Sequence, residues 1–92
     1  MLAWPYKDPE EVLDYQVDWS DRLGADDIVA STWTIPVGGA ALTINSNSFT
    51  VTHTLIWLAA GTLGITYQLT NHITTLGGRQ MEQTIKLKIK AK

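Results

Sequence analysis

Ninety-two residues suffice for one domain with one core. There is no cysteine, and seven Lys and Arg stand against nine Asp and Glu for a formal net charge of −2, which excludes disulfides and thiolate metal sites and argues against a phosphate-neutralising, nucleic-acid-binding surface. No apolar run approaches the roughly 20 residues of a membrane span. Met1-Leu2-Ala3 has neither the basic start nor the apolar stretch of a secretory signal, so synthesis in the cytoplasm without a signal peptide is expected.

The chain opens on residues 1–9, which carry Pro5 and Pro9 and so read as an extended N-terminal arm. Trp4 and Tyr6 straddle Pro5. An aromatic pair on such an arm either folds back on its own domain or docks on a neighbour; restricted backbone and aromatic anchors suit docking, so Trp4, Pro5, Tyr6 and Pro9 are the candidate interface residues. Residues 10–92 are expected to form a single β-sandwich domain. From Glu10 to Trp19, Leu13, Tyr15, Val17 and Trp19 share one face and Asp14, Gln16 and Asp18 the other, the period of a half-buried strand. A helix capped by Asp8-Pro9-Glu10-Glu11 is the competing reading.

Ser20 to Asp27 reads as a polar loop. Ile28 to Ile35 reads as a strand whose parity slips between Ile28/Ala30 and Trp33/Ile35, as a bulge would cause. Pro36 ends it, Gly38-Gly39 turns the chain, Ala40 to Ile44 is a short strand, and Asn45-Ser46-Asn47-Ser48 has the chemistry of a turn. Phe49–Ala59 and Ile65–Thr75, joined by a Gly-bearing segment, read as a hairpin. In the second run Ile65, Tyr67, Leu69, Asn71 and Ile73 lie on one face and Thr66, Gln68, Thr70, His72 and Thr74 on the other. After a turn at Leu76-Gly77-Gly78, the last strand places Met81, Gln83, Ile85, Leu87 and Ile89 inward and Lys86, Lys88 and Lys90 outward. About seven short strands without a convincing helix predict an all-β, immunoglobulin-like antiparallel sandwich, with Tyr15, Val17, Trp33, Tyr67, Leu69, Ile85 and Leu87 inside.

Constellations that carry chemistry are scarce. His53 and His72 fall on strands read as adjacent, but no third ligand converges on them, and neither a metal nor any other cofactor is expected. No Gly-x-Ser-x-Gly elbow frames a serine, and Gly77-Gly78-Arg79 lacks the Lys-Ser/Thr ending of a phosphate loop, so an enzyme is not expected. Three positions read as structural. Asn71, polar on an inward face, is expected to bond a bulged backbone. Tyr67 stands where immunoglobulin-like domains keep a tyrosine corner, and Trp33 can fill the space of their absent disulfide. Five acids between Asp8 and Asp18 against four lysines from Lys86 to Lys92 give the domain an acidic first strand and a basic last one, able to orient it in an assembly.

Taken together, several stretches resemble one family. Trp4-Pro5-x-Lys7-Asp8-Pro9-x-Glu11-Val12-Leu13-Asp14-Tyr15 and Asp18-Trp19-Ser20-x-Arg22-Leu23 resemble the start of small tailed-phage and prophage proteins of the fiber–tail adaptor type. Ser31-Thr32-Trp33-Thr34-Ile35-Pro36, the block from Trp57 to Asn71 and the block from Ile73 to Glu82 extend the resemblance over nearly the whole chain. The resemblance implies a non-enzymatic virion protein, an immunoglobulin-like sandwich present in several copies. It would link the tail or head–tail junction to fibers through protein–protein contacts, its partners being tail, portal-adaptor or fiber subunits and neither nucleic acid nor membrane. The alternatives are a capsid decoration protein and a cell-surface or carbohydrate-binding module.

Overall fold

The computed structural model describes residues 2–35 and 42–92; the expectations for Pro36, Gly38-Gly39 and the start of a strand at Ala40 lie outside the described residues. The fold is all-β. Six strands of six residues or more follow a two-residue strand: β1 (Leu2–Ala3), β2 (Leu13–Asp18), β3 (Ile28–Thr34), β4 (Leu42–Phe49), β5 (His53–Ala60), β6 (Thr66–Thr75) and β7 (Gln80–Lys88). They form two sheets, ordered β1-β7-β6-β3 and β2-β5-β4. All pairings are antiparallel except that of β1 with β7. The division of the second, fourth and fifth strands from the third, sixth and seventh is the connectivity of an immunoglobulin-like sandwich.

Alternation places the core correctly. All seven residues expected inside are buried, and Trp19, Leu23, Ile28, Leu42, Ile56, Leu58, Ile73 and Ile89 complete the cluster. The parity slip in β3 is a register shift between Ile28 and Ala30 in its pairing with β6.

Three local readings change. The segment from Phe49 to Thr75 is not a hairpin, because β5 pairs with β2 and β4 while β6 pairs with β3 and β7. The connection after Ala60 therefore crosses from one sheet to the other. Period two tells which face of a strand is buried, and both strands satisfy it from opposite sheets; it does not tell which strand lies alongside. Asn45 to Ser48 is not a turn but the second half of β4, paired with β5 after a register shift between Ile44 and Ser46. The turn comes at Thr50, whose N–H donates to His53 O and whose hydroxyl accepts from His53 N–H. Local turn preference yields there to cross-strand pairing. Finally, the polar loop begins with one helical turn, α1 (Ser20–Leu23), which buries Trp19 and Leu23 four residues apart on one side.

Asn71 joins these elements. Its Oδ1 accepts from Trp19 Nε1 at 3.1 Å and from Thr54 Oγ1 at 2.6 Å. Its Nδ2 donates to Ser31 Oγ and to Thr32 O, both at 3.0 Å. The Thr32 carbonyl can only accept, which settles which end of the amide faces β3. All four bonding positions of the amide are filled, linking β6 to β3 in its own sheet and to β5 and Trp19 across the core. Trp33, also buried, leans against Trp4 with ring centroids 5.8 Å apart.

In urea denaturation, Asn71→Ala is expected to cost about 3 kcal/mol or more, because it strands several buried polar groups at roughly 1–3 kcal/mol each. Trp33→Ala is expected to cost about 3–5 kcal/mol through the cavity it leaves, and loss of the bond from Thr62 N–H in Tyr67→Phe about 0.5–1.5 kcal/mol. A Tyr67→Phe variant less stable than Asn71→Ala would remove the amide from the centre of this account.

Candidate interaction site

The N-terminal segment is extended, and it lies along β7 of its own domain. Leu2 and Ala3 pair with Ile85 and Lys86, Trp4 N–H donates to Lys86 O at 3.0 Å, and Lys7 pairs with Ile89. The ladder continues on both sides of Lys7, whose N–H donates to Lys88 O and whose carbonyl accepts from Lys90 N–H. Pro5, which has no N–H to contribute, falls between the bonded residues Trp4 and Lys7.

The four candidate interface residues divide accordingly. Trp4 turns inward: its ring stacks on Tyr15 at 4.6 Å between centroids, and its Nε1 donates to Gln16 O at 3.2 Å. Pro5 is exposed, with its carbonyl accepting from the Tyr15 hydroxyl, and Pro9 is half-buried. Burial pushes the Tyr15 hydroxyl pKa up to about 12, with the charges of Glu11 and Asp14 adding to it, so it remains a donor. Tyr6 stays 45% exposed, with the Lys90 and Lys92 ammonium groups 5.2 and 5.8 Å from its ring centroid.

Lys7 was not distinguishable in the sequence from its exposed neighbours, yet it is buried. Its Nζ donates to Ala60 O at 2.6 Å and to Asp8 O at 2.9 Å. Burial lowers its pKa below the ordinary lysine value, partly offset by the negative charges of Glu11 and Asp8. The ammonium thus ties the N-terminal segment to the corner between the sheets. That corner has Ala60 at φ +60° and Gly61 at φ +108°, where a Cβ would stand 2.8 Å from Ile89 Cδ1. Four further bonds hold the region. Tyr67 Oη accepts from Thr62 N–H at 2.9 Å, Gly64 N–H donates to Ile89 O, Lys92 N–H donates to Asp8 Oδ2, and Lys92 Nζ meets Glu11 Oε1 at 2.8 Å.

Around this end lie the exposed apolar side chains of Tyr6, Val12, Leu63 and Ile65. A second group, Val29, Phe49, Val51 and Leu76, is exposed at the opposite end, where Ile28 N–H donates to Val51 O and Leu76 N–H to Asp27 O. Asp26 organises that end. Its carboxylate accepts from Gly77 N–H at 3.0 Å, Asp27 N–H at 2.9 Å and Arg79 Nε at 3.1 Å. Arg79 also donates to the carbonyls of Arg22 and Leu23, closing the end of α1. Gly77-Gly78-Arg79 is thus a turn that seats an arginine against the helix.

His53 and His72 stand on different sheets, not on adjacent strands. His53 Nε2 lies 3.6 Å from Asp18 Oδ2 and His72 Nδ1 3.3 Å from Glu82 Oε2. Among the described residues no group of three His, Cys, Asp or Glu could hold a metal ion, and no helix is long and apolar enough to cross a membrane.

Two measurements follow. Removing residues 1 to 7 takes away the Trp4 stack and both Lys7 bonds, about 2 kcal/mol or more by the cost of lost charged hydrogen bonds. That corresponds to a fall in Tm of roughly 8–16 °C for a domain of this size; an unchanged Tm would show that the segment contributes nothing to its own domain. The Asp26 carboxyl, held at about 2 by bonds from the Thr75 hydroxyl, the Gly77 and Asp27 amides and Arg79, lies below its ordinary 3.8. Its stabilisation is complete above pH 4 or so and is lost as pH falls toward 2. The Tm advantage of the wild type over Asp26→Asn should therefore shrink across that window, and an advantage persisting undiminished at pH 2 would exclude the charge as its source.

Two comparisons bear on kinship. Among curated proteins the chain finds no match. The family model described as "Podophage GP4 fiber-tail adaptor protein gp77" matches residues 7–88. That span runs from the buried Lys7 through the last residue of β7 and takes in the whole sandwich except β1, so the chain belongs to this phage fiber–tail adaptor family.

Proposed function

We propose that the protein is a non-enzymatic virion component, present in several copies, that joins fibers to the tail or the head–tail junction through protein–protein contacts. The family match over residues 7–88 carries this reading. The shape of the domain supports it. Its longest dimension is 41 Å against 21 Å for the other two, and each end carries its own group of exposed apolar side chains. A rod with two separate contact ends suits a link between two partners. At the end held by Lys7, Pro5 and Tyr6 form the contact, with Trp4 holding them in place from within and Pro9 at the margin. At the other end Val51 and Leu76 contribute. The acidic residues of β2 and the lysines of β7 set orientation, as charges at an interface rim do.

Particles assembled with Tyr6→Ala/Leu63→Ser protein, or with Val51→Ser/Leu76→Ser protein, provide the test. One double variant is expected to reduce incorporation of the protein itself. The other is expected to leave it incorporated but reduce the fiber content of the particle, read by quantitative mass spectrometry of purified virions. Normal incorporation and fiber content with both would sink the two-ended link, and recovery of the protein on tailless heads would point to capsid decoration.

A further inference from the structure

The two long sides of the sandwich are guarded differently. On one side β2 is an edge strand with exposed Asp14 and Asp18, and the other sheet ends there in the two-residue β1. Charges at an edge deter pairing with another strand. On the other side the edges are β3 and β4, and neither Ile28–Thr34 nor Leu42–Phe49 contains a charged residue or a proline.

β4 is the more open of the two. Every residue from Asn45 to Phe49 is exposed. Its backbone bonds go to β5 on one side, and among the described residues no other strand or loop takes up the N–H and C=O groups that point the other way. The register shift between Ile44 and Ser46 bends the strand once, and Ser46 to Phe49 then run in unbroken register with β5. Two large apolar side chains on this sheet stay 42% exposed: Phe49, on β4 itself, and Trp57, directly opposite Ser46. Small serine and asparagine side chains beside them offer little cover.

We propose that the β4 edge pairs antiparallel with β4 of a second copy of this chain, joining two three-stranded sheets into one of six strands about a two-fold axis. An uncharged edge meets its own copy without like-charge repulsion, and a two-fold contact requires only that the patch be complementary to itself. The β2 edge, with Asp14 and Asp18, would set like charges against each other in the same arrangement. The pairing extends the backbone ladder at the more open of the two uncharged edges, and it covers Phe49. It stands independently of the adaptor reading, since it concerns the isolated protein in solution.

Sedimentation velocity over a concentration series tests it. The wild type is expected to pass from a 10.2 kDa monomer to a species of twice that mass as concentration rises. Ser46→Lys places like charges across the two-fold, and Asn47→Pro removes an edge N–H; each is expected to weaken dimerisation at least about tenfold, with circular dichroism checking that the domain remains folded. Gln16→Lys, on the opposite edge, should leave the dimer constant unchanged. If Asn47→Pro fails to fold, Ser46→Lys decides alone. A wild type that is monomeric at every concentration, or a dimer indifferent to Ser46→Lys, overturns the proposal.

Discussion

A single buried amide holds the two sheets of this domain in register with each other. Burying a polar side chain among Leu69, Ile73 and Ile56 costs free energy unless every bonding position is met. Asn71 meets all four, with two donors arriving from the opposite sheet side and two acceptors provided by β3. Hydrophobic contacts across a sandwich are tolerant of sliding; hydrogen bonds of defined direction are not. The amide therefore supplies specificity that the apolar core lacks. The chain has no cysteine, and Trp4 packs against both Tyr15 and Trp33.

The two ends of the molecule depend on charged groups used in another way. At one end a buried ammonium bonds two carbonyls, and at the other a carboxylate gathers two backbone amides and an arginine. Each closes loops that would otherwise expose unpaired backbone groups, and each anchors a segment lying beside exposed apolar side chains. The two ends of the rod are thereby held in a fixed shape, and a surface ordered beforehand loses less entropy on association. The N-terminal segment illustrates the point. Trp4 and Lys7 bind it to the domain, and what remains exposed on it, Tyr6 above all, is presented from a fixed backbone.

Much of this was legible in the residues. Period-two alternation identified the all-β class, the buried faces and the slip in β3, because side-chain direction along a strand is a local property. The inward position of Asn71 was legible for the same reason, and the motif resemblance pointed to the family that the match over residues 7–88 establishes. Tyr67 could be singled out by its place at the start of a late strand, and its hydroxyl meets the backbone of Thr62.

The tertiary structure alone decided which strands are neighbours, and hence that β5 and β6 belong to opposite sheets, since alternation carries no information about pairing partners. It decided that Asn45 to Ser48 extend a strand, because pairing with β5 outweighs the turn preference of serine and asparagine. It also decided the fate of the N-terminal residues. A short run containing Trp4, Lys7 and two prolines is compatible with a free arm or a bound one, and only the position of β7, the stack on Tyr15 and the carbonyl of Ala60, all distant in sequence, make the bound form the stable one. Sequence determines the faces of the strands because that rests on neighbouring residues; the joining of faces, edges and ends rests on residues as many as 84 positions apart, which only the folded chain brings together.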